Sequence, residues 1–130
     1  TDDAFEGRSV LLSVDTAHLV NDIATELLLD LPVTQAQPVW LEMNYKNDIP
    51  FELWVLGTQG NASELSLGVY QFVPAENWNK IYFNLTTFLI ALNQDKYRLL
   101  FRVNLPRDDK GNFIQNTGTV LLDNLRIIHF

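Results

Sequence analysis

The sequence predicts an all-β protein, an antiparallel sandwich of about eight strands. The first observation behind this is apolar–polar alternation at period two in short segments. The second is spacing: turn residues separate the segments at intervals of roughly 8–12 residues, as in sandwiches and barrels. The third is size and composition. A chain of 130 residues with 47% hydrophobic and 19% charged side chains suits one domain, 1–130, around one core.

Strands are expected at 8–15, 23–31, 38–45, 51–57, 65–73, 80–85, 97–104 and 119–130. Residues that set turns or tolerate positive φ bound them: Leu31-Pro32, Asn47-Asp48-Ile49-Pro50, Gln59-Gly60-Asn61, Val73-Pro74 and Asp108-Asp109-Lys110-Gly111-Asn112. One helical turn is expected at 87–92, with Phe88 and Leu92 at i and i+4 against the sheet edge. Alternation also assigns the faces. Val39, Leu41, Met43 and Tyr45 share one side of their strand, and Trp40, Glu42 and Asn44 share the other. Phe51, Leu53 and Val55 oppose Glu52 and Trp54 in the same way, as do Ile81, Phe83 and Leu85 against Lys80, Tyr82 and Asn84. Tyr97, Leu99, Phe101 and Val103 complete the inward set, with Arg98, Arg102 and Asn104 outward. Trp78, ahead of its strand, is expected to close one end of the core.

Charge removes some classes of partner. Nine Lys and Arg against sixteen Asp and Glu leave a net charge of -7, which repels phosphate backbones and anionic lipid. Without cysteine there is no thiolate nucleophile, zinc–thiolate site or iron–sulfur cluster. The longest apolar run, Phe88-Leu89-Ile90-Ala91-Leu92, falls far short of the ~18 residues of a membrane span. The start at Thr1-Asp2-Asp3 has no basic or apolar leader pattern, so any targeting segment is expected to have been cleaved or to lie outside the given sequence.

The outward residues suggest the chemistry. If 46–50 is a hairpin loop, Tyr45 pairs with Phe51, Glu42 lies opposite Trp54, and Trp40 is diagonal to Trp54 at about 7–8 Å. Two indoles and a carboxylate then share a patch that Asn44, Tyr82, Asn84 and Arg98 extend. A sugar ring offers an apolar C–H face and a hydroxyl rim, which such a patch matches in both halves. The bland alternative is that Trp40 and Trp54 pack beneath the 87–92 turn or the 16–22 connection.

Catalysis is disfavoured. Glu42 and Glu52 resemble a glycosidase pair only in type, with no evident deep cleft to raise one pKa and with Lys80, Arg98 and Arg102 available as surface partners. His18 reads as a loop residue and His129 as a strand end, and no Gly-x-Ser-x-Gly elbow serves either. Asp108, Asp109 and Asn112 around Gly111 do not have EF-hand spacing and read as a solvated turn.

Three segments carry a family resemblance. Phe5-Glu6-Gly7-Arg8-Ser9-Val10-Leu11-Leu12 is similar to an opening E-G-x-x-S-L strand, and Asn77-Trp78-Asn79-Lys80-Ile81-Tyr82-Phe83-Asn84-Leu85 to a W-x-K-I-x-x-x-L strand. Val120-Leu121-Leu122-Asp123-Asn124-Leu125-Arg126-Ile127 is similar to a closing V-x-L-D-D-I-R-I strand, with Asn124 where a second Asp is common. Together they resemble the jelly-roll carbohydrate-binding-module and galactose-binding-like superfamily, including domains on bacterial surface lipoproteins. The resemblance implies a jelly-roll sandwich of two antiparallel sheets, extracytoplasmic or at the cell surface, binding a polysaccharide or glycan without catalysis. It also implies a structural calcium ion joining Glu6 to Asp123, set against the alternative that Asp123 is a turn-capping or edge hydrogen-bonding residue. The competing expectation is a structural or protein-interaction sandwich, with the tryptophans under a neighbouring domain of a larger protein.

Overall fold

The computed structural model of the chain describes residues 9–24 and 38–129. Among the described residues eight strands and one helix follow in order: β1 (Ser9–Asp15), β2 (Val20–Ala24), β3 (Val39–Asn47), β4 (Phe51–Thr58), β5 (Leu65–Phe72), β6 (Ala75–Asn84), α1 (Thr86–Leu92), β7 (Lys96–Asn104) and β8 (Thr117–His129). They form two four-stranded sheets, ordered β1-β8-β3-β6 and β2-β7-β4-β5, hereafter the first and second sheets. Every pairing is antiparallel. This is the strand order of a jelly roll, as expected.

The inward alternation forms the core. Leu41, Met43, Phe51, Leu53, Val55, Phe101 and Val103 are wholly buried, Val39 and Leu99 nearly so, and Ile81 and Phe83 pack on the core partly covered. Phe51 and Phe72 stack at 4.5 Å between centroids and Tyr45 meets both, while the residue expected to close one end of the core is Trp78. Trp78 does not take that role. It belongs to β6, an edge strand of the first sheet, and is 48% exposed. Polar Glu76, Asn77 and Asn79 hid this part of β6, because backbone pairing along an edge leaves little trace in a hydrophobic pattern.

A second correction decides the site. β3 and β4 do not form a hairpin; they lie in different sheets, and the link between them is a crossover arch. Ile49 is the physical reason. Its side chain is fully buried, whereas an apolar residue at a hairpin tip would meet solvent. Gly118 makes room for it: a Cβ there would stand 2.5 Å from Ile49 Cδ1. Buried Asn47 ties the arch down by donating from Nδ2 to the Ile49 and Val73 carbonyls and accepting the Ala75 N–H. These bonds meet the desolvation cost of a buried amide.

The remaining differences are local. β2 starts at Val20 and not at 23, because an Asp15 turn closes the preceding connection within a few residues: Oδ1 accepts the Ala17 and His18 N–H groups at 2.8 and 2.7 Å. The rest of that expected strand, 25–31, lies outside the described residues, as do Arg8 and Phe130. The helical turn is present as α1, with Leu89 buried and Phe88 6.0 Å from the Phe83 ring. Asn93 ends it at φ 49°, and the buried Tyr97 hydroxyl donates to the Leu89 carbonyl at 2.8 Å. Among the described residues no helix is long and apolar enough to cross a membrane.

Candidate functional site

Directly paired residues of a sheet point to the same face. Since Leu41 and Met43 face the core, their neighbours on β3 face outward, and so do those neighbours' partners. On one side Trp40 pairs with Asn84, Glu42 with Tyr82, and Asn44 with Lys80. On the other, Trp40 pairs with Ile128, Glu42 with Arg126, and Asn44 with Asp123. Of the expected sugar-facing residues, Trp40, Glu42, Asn44, Tyr82 and Asn84 therefore share the outer face of the first sheet. Trp40 is half-buried there and Tyr82 is 57% exposed.

Glu42 sits at the centre of this face and is itself buried. Its Oε1 accepts from Arg126 Nη2 at 2.9 Å and stands 3.2 Å from Lys80 Nζ. The Arg126 hydrogen bond, with help from Lys80 and against desolvation, holds its carboxyl below the usual range. Lys80 is in turn held above its ordinary value by its hydrogen bonds to Tyr82 and Glu42, and its ammonium lies 5.5 Å from the Tyr82 ring centroid. Glu42 is thus a fixed anion that orders two half-exposed cations beside an aromatic ring, not a poised proton donor.

A bulge shapes the same face. Asn44 pairs with Asp123 and Glu42 with Arg126, so Met43 alone opposes Asn124 and Leu125. Asn124 takes the left-handed conformation, φ 52°. Asparagine tolerates it better than most residues, a local reason for the departure from the resembled motif. The bulge resets the alternation of β8, so that Leu122 and Leu125 both point into the core.

Trp54 and Arg98 are not on this face. They belong to the second sheet, where Trp54 pairs with Gly68 and Leu100, and Arg98 with Leu56. The expected Trp40–Trp54 patch is overturned by the crossover at Ile49, which puts the two indoles on opposite outer faces. Glu42 and Glu52 are separated in the same way, so they cannot flank one glycosidic bond. The Trp54 indole N–H donates to Glu52 Oε1 at 3.2 Å, and its ring lies beside Gly68, where a Cβ would stand 3.5 Å from it, an ordinary contact distance. Arg98 makes a two-pronged bond to Glu64, both arms 2.8 Å, and Arg102 reaches Asp22 at 3.1 Å.

Sequence reasoning missed the hollows. One of about 420 Å³ lies at the arch end of the first sheet, lined by Lys46, Asp48, Glu76, Thr119 and Leu121 among others. Two smaller ones adjoin on the second sheet and share Glu52 and Gln71. Strand order creates all of these, and order is not written in periodicity. Mid-strand Gly68 was the available signal, since a strand glycine marks close approach of another group.

The calcium expectation names Glu6, which lies outside the described residues, and Asp123. Asp123 points to the outer face beside Asn44, and its Oδ1 accepts the Asn124 N–H at 2.8 Å. Calcium takes about six to eight oxygens. Among the described residues no three His, Cys, Asp or Glu come together, so these residues do not by themselves furnish such a shell. The Asp108 segment is a turn: Asp108 Oδ1 accepts the Lys110 and Asn112 N–H groups, both at 2.9 Å, with Gly111 at φ 83°. His18 is exposed beside Asp15, and His129 pairs with Val39 at the end of β8. Compared with known families and with curated proteins, the chain matches no family model and no curated sequence.

Proposed function

We propose that this chain is a non-catalytic carbohydrate-binding domain and that its site is the outer face of the first sheet. The observation carrying this is the ladder Trp40–Asn84, Glu42–Tyr82, Asn44–Lys80, which interleaves two aromatic rings with amides and a charged cluster on one surface. Aromatic faces stack on the C–H side of a pyranose, while amide and ammonium groups reach its hydroxyls. Tyr82 and Asn84, both exposed on this face, are the groups placed to meet a polymer segment. The pinning of Glu42 by Arg126 and Lys80 argues for binding over hydrolysis, because glycoside cleavage needs a carboxyl that can give up a proton near neutral pH. The resemblance to modules of surface lipoproteins adds the setting: an extracytoplasmic domain of a larger cell-surface protein.

The test is affinity-gel electrophoresis through soluble β-glucan, xylan, galactomannan and galactan, with Tyr82→Ala as the diagnostic variant. Retardation by at least one polymer, weakened tenfold or more in Tyr82→Ala at unchanged melting temperature, is the expected result. Unchanged retardation in the variant would remove this face from the site.

A protein-interaction surface is the second reading. It draws on Leu11, 59% exposed on edge strand β1 and in register with Leu121 on the same face. Retention of none of the polymers would favour it.

A further inference from the structure

The second sheet carries a groove of its own on the opposite side of the sandwich. Two hollows of about 230 and 140 Å³ adjoin along β4 and share Glu52 and Gln71. The Trp54 indole lines one, and Arg102 and Asn104 line the other. Recognition groups are therefore arranged as an aromatic end, a polar middle and a second polar end.

Charge distinguishes this groove from the first face. Arg102 is paired with Asp22 and Arg98 with Glu64, so these two guanidinium groups of the second sheet are already neutralised. Glu52, which both hollows share, accepts the Trp54 indole N–H and adds a negative charge to the groove. An anionic ligand finds little to hold it here. Gln71 and Asn104 are exposed, and each amide offers both donors and an acceptor. Arg102 Nε is buried without a hydrogen-bond partner. An indole, two exposed amides and a carboxylate around a concave surface fit the hydroxyls and C–H face of an uncharged sugar.

We infer that this groove is a second glycan site, selective for a neutral sugar segment, and that the domain is bivalent. The inference takes its ligand class from the carbohydrate reading above but stands on different residues. Sites on opposite faces of one sandwich cannot both hold a single short oligosaccharide, so bivalency appears as cross-linking of separate chains.

The experiment uses the whole chain with the polymer retained in the affinity gel and with a hexasaccharide prepared from it. The expected result is two hexasaccharides bound per domain by calorimetry and turbidity when the domain is mixed with soluble polymer. Trp54→Ala and Gln71→Ala should each reduce the stoichiometry to one and abolish turbidity. Gln71→Ala is included because Gln71 is exposed, whereas Trp54 packs on Gly68 and its loss can disturb the fold. Tyr82→Ala should remove the other equivalent. A wild-type stoichiometry of one, or unaltered stoichiometry and turbidity in Gln71→Ala, overturns the second site. If Tyr82→Ala removes all binding and Gln71→Ala none, the groove fails and the first face stands. The reverse pattern removes the first face and keeps the groove, and retention of no polymer sinks both.

Discussion

Glu42 and Arg126 meet across the β3–β8 ladder, carboxylate oxygen to guanidinium nitrogen at 2.9 Å, with the carboxylate buried and the arginine half exposed. The pair joins the two central strands of the first sheet on its outer face. Its position makes it the electrostatic centre of the proposed sugar face and a source of pH-dependent stability.

The pH dependence has a definite sign. Glu42 has its folded pKa depressed below the ordinary 4.5, so its contribution is present above that value and is lost as pH falls through the folded value. Glu42→Gln should therefore lower stability by about 1–2 kcal/mol at pH 7, a modest figure because both cations are half exposed. Urea midpoints of the two proteins should converge as pH falls below 4.5. A gap that is constant down to pH 3 would show that the variant acts through packing.

The arch has its own test. Gly118→Ala forces a methyl to within 2.5 Å of Ile49 Cδ1 and should cost about 1–3 kcal/mol as overpacking. Ile49→Ala alone should cost about 2–5 kcal/mol by leaving a cavity. The double variant should lose clearly less than the sum, because each change relieves the other. Additive losses would mean that the two side chains do not compete for one space.

Leu53 is wholly buried on β4 between sheets, so Leu53→Ala should cost about 2–5 kcal/mol on chemical denaturation. A loss below about 0.5 kcal/mol would be the scale of a surface change and would reverse the assigned face of β4.

Asn124 gives a backbone test. At φ 52° a β-branched side chain is strained, so Asn124→Val should cost about 1–3 kcal/mol while Asn124→Gly is nearly neutral. Equal melting temperatures for the two variants would indicate that the bulge does not require the left-handed conformation.

Periodicity made the faces of each strand legible. Alternation in Val39–Asn47, Phe51–Thr58 and Lys96–Asn104 reports which side chains leave water, and burial of apolar area is the main driving force of folding. For this reason Leu41, Leu53 and Phe101 are core as expected, and Trp40, Glu42 and Tyr82 are outward. Alternation also indicated the sandwich class, and short motifs supplied the jelly-roll expectation.

Which strands are neighbours was decided only by the tertiary structure. A turn containing Asn47, Asp48 and Pro50 reads the same whether it folds back within one sheet or crosses to the other, since local turn chemistry carries no record of the distant partner. The choice rests on long-range fits: Ile49 against Gly118, Asn47 against Val73 and Ala75, and Asp48 Oδ1 accepting the Thr119 N–H at 2.7 Å. That choice separated Trp40 from Trp54, brought Arg126 to Glu42, and opened the groove beside Gln71. Hydrophobic pattern fixes the direction of a side chain relative to its own strand; only packing among strands far apart in sequence fixes what that side chain meets.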